Sequence, residues 1–60
     1  MARPLVALVI PTLNEEEAIG GVIAAVPRAV VDDIIVVDSG STDRTAENAR
    51  AAGARIVAAN

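Results

Sequence analysis

The feature that most constrains the fold is a pair of unbroken apolar runs, Leu5–Ile10 and Ile34–Val37. Neither run alternates apolar with polar residues, so each predicts a strand buried on both faces, as in a parallel sheet. The second run stops at Asp38, and small, turn-forming, hydroxyl-bearing residues follow at once. A strand that ends in this way presents a carboxylate at its C-terminal tip, the edge of open α/β sheets where ligands bind.

The segments between the strands carry helix signals. Apolar residues recur at helical spacing after Asn14, and Asn14 with Glu17 forms a capping-box-like pair, which predicts a helix over about residues 15–26. Ser41 or Thr42 can cap a second helix over about residues 42–52, and Gly53 is a natural helix stop. The apolar face of the first helix comprises Ala18, Ile19, Val22, Ile23 and Val26.

The predicted element order is β-α-β-α-β, with strands over about residues 5–10, 34–38 and 55–58. Parallel strands joined by right-handed crossovers follow from that order. The predicted fold class is therefore α/β, an incomplete, Rossmann-like half of a doubly wound parallel sheet. The chain has 60 residues, no aromatic residue and no Cys, so it lacks the usual stabilising devices of a small domain. Residues 1–60 therefore read as a fragment of a larger domain, or as a chain that needs partners.

Composition excludes several classes of function. The net charge is −3 and Lys is absent, so a nucleic-acid surface is not expected. No apolar run approaches the roughly 20 residues that span a bilayer. Leu5–Ile10 is also too short for the core of a signal peptide. A cytoplasmic location is the default expectation, with membrane association left to parts outside these residues.

A polar cluster follows each long strand, Pro11–Glu15 after the first and Asp38–Asp43 after the second. In a parallel sheet these clusters lie side by side, and their carboxylates can accept hydrogen bonds from an imide N–H or a ribose hydroxyl. Pro11 and Gly40 let the backbone approach a flat ring closely. Neither cluster has the glycine pattern of a phosphate cradle. A nucleotide bound here is therefore held by its base and sugar, and its phosphates need charge compensation from elsewhere, most simply a metal.

The two clusters together resemble a known family. Val9–Glu16 (VIPTLNEE), followed by Ile35–Thr45 (IVVDSGSTDRT), is similar to the N-terminal end of the inverting, nucleotide-sugar-dependent glycosyltransferases of the family-2 type. The resemblance covers nearly the whole chain, and the pair of motifs in order is more specific than either alone. It implies the GT-A fold, in which a Rossmann-like nucleotide-binding half joins an acceptor half.

The resemblance also implies which residues bind the nucleotide. Asp38 bonds the base, and the other residues of the strand tips line the nucleoside pocket. The family often has Tyr at the position of Leu13 and a second Asp at the position of Ser39, so these two departures leave the preferred base open. The nucleotide-binding residues so implied are Pro11, Thr12, Leu13, Glu15, Asp38, Ser39 and Gly40.

The family's metal-binding Asp-x-Asp motif and its catalytic carboxylate come later in the chain, and after Asp43 only Glu47 is acidic. No catalytic residue and no metal ligand is therefore assigned here, and the segment alone is expected to be inactive. The resemblance implies that the parent protein uses Mg²⁺ or Mn²⁺ and a UDP- or GDP-sugar donor. It implies a polyprenyl phosphate or a small phosphorylated acid as acceptor.

Other readings of Asp38 are open from the residues alone. Asp and Ser favour turns and N-caps for local reasons. An apolar run before Asp-Ser-Gly also matches the active-site turn of aspartic proteases, although Arg44–Ala52 is helix-forming where those all-β proteins need a strand. In a third reading, Asp38 is a strand-end aspartyl nucleophile of a phosphotransferase. Those enzymes usually have a second Asp at the position that Gly40 occupies here. A non-catalytic α/β interaction or regulatory stub is a fourth.

Overall fold

The computed structural model describes residues 3–59 and contains a single three-stranded parallel sheet with two helices. The strands lie in the order β1-β2-β3, so each helix connects two neighbouring strands. The predicted α/β fold class and the β-α-β-α-β order are confirmed. The elements are β1 (Ala7–Thr12), α1 (Ile19–Ala24), β2 (Asp33–Asp38), α2 (Thr45–Ala51) and β3 (Arg55–Ala58).

The core lies between one face of the sheet and the two helices. Ile34 and Val36 of β2 are buried there against Ile19 and Ile23 of α1, together with Ala49 of α2. Side chains alternate between the two faces of a strand. Ile10 of β1 and Ile56 of β3 pack against this core, whereas their neighbours Val9 and Val57 face away from the helices. The core also includes Ala54.

The expectation that these strands are buried on both faces is wrong for the described residues. Val9 of β1 is 54% exposed, and Ile35 and Val37 of β2 are only half-buried. Both helices pack on the other face, so nothing among residues 3–59 covers these side chains. Among the described residues, the apolar side chains of the strands are therefore packed by helices on one face of the sheet and are not covered on the other face.

β1 begins and ends two residues later than the sequence predicted, and Pro11 does not end it. The Ser39 N–H donates to the Thr12 carbonyl at 3.0 Å, so Thr12 points its backbone groups toward β2. Because these groups alternate in direction along a strand, the nitrogen of Pro11 faces the open edge of the sheet, where a missing N–H costs no ladder bond. Leu5, placed in the predicted strand, is 87% exposed and precedes it.

Helix α1 is shorter than predicted, and its start differs in kind. The amides of Ala18 and Ile19 both donate to the Glu15 carbonyl, at 3.1 and 2.9 Å, which forms a turn ahead of the helix. The N-cap is Ala18, without a side-chain cap, and the first turn holds no acidic residue. The predicted capping box of Asn14 with Glu17 is therefore wrong. Asn14 instead adopts a positive φ of 50°.

Helix α2 begins at Thr45 rather than at residue 42, and neither Ser41 nor Thr42 caps it. Its end follows the sequence signal. Gly53 has a φ of 103°, and the amides of Gly53 and Ala54 donate to the carbonyls of Arg50 and Ala49 at 3.0 and 3.1 Å. This pattern is a Schellman motif with glycine in the left-handed position. β2 starts one residue earlier than predicted, and β3 coincides with residues 55–58.

Candidate functional site

The structure brings the C-terminal tips of β1 and β2 together. Thr12 and Asp38 are direct register partners, and the Ser39 amide extends the ladder by one bond to the Thr12 carbonyl. The two polar clusters therefore lie at one edge of the sheet, as their positions after parallel strands predict. This edge is where open α/β sheets bind ligands.

The seven predicted nucleotide-binding residues differ in exposure. Thr12 is 8% exposed and faces the helices, whereas Leu13 is 53% exposed. Asp38 is half-buried, and Gly40 next to it has a φ of 94°, a conformation that disfavours any residue with a Cβ. Their role in binding a nucleotide stays a prediction. The remaining members, Pro11, Glu15, Ser39 and Gly40, are exposed.

The Asp38 carboxylate makes a local bond with one oxygen and leaves the other available. Its Oδ1 accepts from the Ser41 amide at 3.0 Å and from the Ser41 hydroxyl at 2.5 Å. Within residues 3–59, Oδ2 accepts no hydrogen bond from another side chain or amide. Asp38 thus has the turn-stabilising role that local chemistry predicts, together with a free acceptor for a ligand.

Asn14 links the two loops, a role that the sequence analysis missed. The backbone N–H of Asn14 donates to Ser41 Oγ at 2.9 Å, and the side-chain Oδ1 of Asn14 accepts from the backbone N–H of Thr42 at 2.9 Å. Because the Ser41 hydroxyl accepts from Asn14 and donates to Asp38, Ser41 connects Asn14 to Asp38 through two consecutive hydrogen bonds. The only available signal was that Asn tolerates positive φ more readily than most residues.

A second set of bonds joins the loops at the start of α2. Thr45 Oγ1 accepts from the Glu15 amide at 2.8 Å, and Asp43 Oδ2 accepts from the Glu16 amide at 3.3 Å. Asp43 Oδ1 accepts from the Thr45 amide at 3.0 Å and from the Thr45 hydroxyl. These bonds, above all the one from the Thr45 hydroxyl, hold the pKa of Asp43 below its ordinary value.

A groove of about 330 Å³ lies beside the strand tips, and its wall is acidic. Among the predicted ligands only Glu15 lines it. A groove with this charge repels a diphosphate rather than binding it. In the described part of the chain, no group of three His, Cys, Asp or Glu residues is placed to hold a metal ion. The lining residues are Asn14, Glu15, Glu16, Glu17, Ala18 and Asp43.

The aspartic-protease reading of Asp38 does not fit the structure. The turn after Asp38 leads into α2, not into the strand that an aspartic protease requires. Asp38 and Asp43 bond separate partners, so the shared proton of a protease dyad has no counterpart here.

Residues 3–59 include no helix that is long and apolar enough to cross a bilayer. The cytoplasmic location stays a prediction.

Comparison with known families agrees with the geometry. The profile of glycosyl transferase family 2 matches residues 7–59, from the first residue of β1 to the residue after β3. The chain belongs to glycosyltransferase family 2. The resemblance carried by the two strand-tip motifs is thereby confirmed.

The chain is also similar to individual curated proteins. The chain is 49% identical over 55 residues to glucosyl-3-phosphoglycerate synthase of Mycolicibacterium smegmatis, covering 87% of this chain and 18% of that protein. It is 46% identical over 57 residues to an uncharacterised glycosyltransferase of Mycobacterium tuberculosis, covering 95% of this chain and 25% of that protein. The chain thus spans a minor part of each of these family 2 relatives.

A solved structure shows the same fold. The crystal structure of Mycobacterium tuberculosis glucosyl-3-phosphoglycerate synthase with Mn²⁺, UDP-glucose and phosphoglyceric acid superposes with a TM-score of 0.82 at 46% identity. The match covers 90% of this chain and 20% of that one. A complex of the same enzyme with Mg²⁺ and UDP gives an equal TM-score. The fold of this family 2 chain is therefore the Rossmann-like half of the GT-A type.

Proposed function

We propose that the full-length protein transfers a sugar from a UDP-sugar to a small phosphorylated acid, and that residues 1–60 hold the nucleoside of the donor. The observation that carries this proposal is the pairing of the strand tips in a family 2 chain, in which Asp38, with its free Oδ2, is the register partner of Thr12, the residue before the exposed Leu13. Relatives crystallised with UDP-glucose and phosphoglyceric acid support these substrate classes over a GDP-sugar or a polyprenyl phosphate.

Each predicted residue has a part in this proposal that fits its exposure. Asp38 Oδ2 accepts from the N–H of the base, and Leu13 provides an apolar contact for the ring. Glu15 accepts from the ribose. Thr12 is buried, and its carbonyl is taken by Ser39, so it fixes the strand tips rather than touching the ligand. Pro11, Ser39 and Gly40 form the exposed backbone against which the nucleoside lies.

The reaction is a direct displacement with inversion. An acceptor hydroxyl oxygen forms a bond to the anomeric carbon while the bond from that carbon to the diphosphate oxygen breaks, and UDP leaves. The proton of the hydroxyl passes to a carboxylate outside residues 1–60. Mg²⁺ or Mn²⁺ would neutralise the charge of the departing diphosphate. The residues described here do not fit a metal site, so its ligands belong to the rest of the protein.

Titration of the full-length protein with UDP, GDP and UDP-glucose in the presence of Mn²⁺ tests the donor assignment. Asp38→Ala should weaken UDP binding by about 1–3 kcal/mol, the range for a buried polar partner left unpaired. Asp33→Asn is the matched control, because its carboxylate lies at the opposite end of β2 and pairs with Arg55 at 2.7 Å. Unchanged affinity in Asp38→Ala contradicts the site, and retention at the anomeric carbon, read by NMR of the product, contradicts inversion.

A further inference from the structure

Thr45 occupies an unusual place for a hydroxyl side chain. It is the first residue of α2 and is 0% exposed. Its Oγ1 lies between the two loops, where it accepts from the Glu15 amide at 2.8 Å and donates to Asp43 Oδ1. A buried hydroxyl is tolerated only when its hydrogen-bonding groups find partners. Here the partners come from both loops of the site.

The direction of these bonds is fixed by chemistry. An ionised carboxylate can only accept hydrogen bonds, and the pKa of Asp43 is lowered chiefly by the hydrogen bond from the Thr45 side chain. The Thr45 proton must therefore point to Asp43, which leaves an oxygen lone pair of Thr45 for the Glu15 N–H. The second oxygen of Asp43 takes the next amide, that of Glu16, at 3.3 Å. Two consecutive amides of the β1–α1 loop are thus held by the first residue of α2 and by Asp43 just ahead of it.

The other hydrogen bonds between the β1–α1 loop and the rest of the protein lie on either side of the Glu15 amide: Asn14 bonds Ser41 and Thr42, and the Glu16 carbonyl accepts from Asn48 Nδ2 at 2.9 Å. The N-cap of α1, Ala18, offers no side-chain cap, so the amides ahead of the helix depend on partners elsewhere. The side chains of Leu13 and Glu15 are exposed, and packing does not fix them. The position of Glu15 in the loop is therefore set by its backbone, and its amide is bonded to Thr45, 30 residues away along the chain.

We infer that Thr45 and Asp43 are positioning residues of the donor site: they bind no ligand themselves but hold Leu13 and Glu15 in the place where the nucleoside meets them. This inference rests on the proposed function. It adds two residues that lie outside the predicted ligand set, and it explains why the loop after β2 contributes to a pocket that the loop after β1 lines.

The test uses the full-length protein and three variants. Thr45→Val keeps the shape and burial of the side chain but removes the acceptor for the Glu15 amide. Thr45→Ser restores the hydroxyl. Asp32→Asn is the control, because Asp32 also accepts a backbone amide, that of Val6 at 2.7 Å, but at the opposite end of the sheet. The measurements are Kd for UDP with Mn²⁺, KM for UDP-glucose, kcat, and native circular dichroism at the assay temperature.

Thr45→Val should raise Kd and KM about tenfold, as expected for one unsatisfied amide in the site, while kcat changes less than about twofold because the bond is lost equally in ground and transition states. Thr45→Ser should restore both constants to within about twofold. Asp32→Asn should bind UDP like the wild type. If Thr45→Val does not fold, Asp43→Asn replaces it, since the new amide group presents a donor to the Glu16 N–H.

The outcomes separate the two claims. A wild-type protein that binds neither UDP nor UDP-glucose overturns the proposed function and this inference together. A wild-type protein that binds UDP, with a folded Thr45→Val variant of equal affinity, overturns the inference alone. The same follows if Asp32→Asn weakens binding as much as Thr45→Val, because the effect is then one of general stability.

Discussion

The two ends of the sheet hold their carboxylates in different ways. At the N-terminal end, Asp32 pairs with Arg3 at 2.5 Å and Asp33 pairs with Arg55 at 2.7 Å. At the C-terminal end, Asp38 bonds only an amide and a hydroxyl, and among residues 3–59 no arginine forms an ion pair with it. One end neutralises its carboxylates with arginine, and the other leaves Asp38 without a cationic partner among residues 3–59.

This difference identifies which carboxylates can serve a ligand. A carboxylate already paired with a guanidinium gains less from an N–H of a base than a carboxylate without a cationic partner. The loops at the C-terminal end also carry the acidic groove, which repels phosphate. Under the proposed function, this end meets the base and ribose of the nucleotide and not its diphosphate. This agrees with a donor site whose metal and phosphate ligands lie in the remainder of the protein.

The largest expected effect on stability is at Asn14. Asn14→Ala forces a residue with a Cβ and no compensating side-chain bond into the left-handed region, at about 1–2 kcal/mol, and also loses the bond to the Thr42 amide. We expect the free energy of unfolding of the full-length protein, measured in urea, to fall by about 1–3 kcal/mol. Asn14→Gly keeps the backbone conformation and should cost clearly less. Equal losses in both variants would show that backbone strain at Asn14 has no part.

Ser41 should have a smaller effect on stability and a clear one on binding. Ser41→Ala removes the acceptor for the Asn14 amide and the hydroxyl that bonds Asp38. The free energy of unfolding should fall by about 0.5–1.5 kcal/mol, and Kd for UDP should rise because the Asp38 carboxylate loses one of its two hydrogen bonds to Ser41. Calorimetric titration measures the second effect. A rise in Kd of the same size in Asp33→Asn would remove the distinction between the two ends of the sheet.

The sequence predicted the frame of the molecule because the decisive signals are local. The apolar run Ile34–Val37 locates β2 to within one residue, and Gly53 marks the end of α2. The strand tips could be paired from topology alone, since parallel strands end at one edge. The capping of α1 was mispredicted because local rules pair Asn14 with Glu17, whereas its bonds go to Ser41 and Thr42.

The positioning residues could not be predicted for the same reason. The bond from the Glu15 amide to Thr45 spans 30 residues, and that from the Asn14 amide to Ser41 spans 27. In the sequence, Ser41 looks like a helix cap for α2, the local role that Ser and Thr usually have, and Thr45 lies inside the predicted helix. Only the register of β1 against β2 brings them to the other loop. Asp38, by contrast, ends an apolar run and could be identified without that register.

The N-terminal ion pairs should contribute least at neutral pH. Arg55→Ala removes the partner of Asp33, and both side chains are largely exposed, at 67% and 41%. We expect the free energy of unfolding to fall by at most about 1 kcal/mol, and the difference from wild type to vanish in about 1 M NaCl. UDP affinity should not change. A loss that persists at high salt would mean that packing of the Arg55 stem, and not charge, stabilises this end.

Acidification should separate the two ends without any effect in the neutral range. The pKa of Asp32 is lowered, chiefly by its hydrogen bond from Arg3, and that of Asp43 by its hydrogen bond from Thr45, both from an ordinary value of 3.8. A group whose pKa is depressed on folding stabilises the protein above its unfolded pKa and loses that contribution as pH falls through the folded value. Stability should therefore be flat near neutrality and fall below about pH 4.

Salt should distinguish the contributions of Asp32 and Asp43 to this acid dependence. Asp32 bonds an arginine, so high salt should suppress its contribution, whereas Asp43 bonds neutral donors, so its contribution should persist. Each contribution is the part of the acid dependence that is lost in Asp32→Asn or in Asp43→Asn. Urea denaturation across pH at low and high salt measures both. If the free energy of unfolding of Asp43→Asn falls with pH as steeply as that of the wild type at high salt, then an ionised Asp43 does not hold the two loops together.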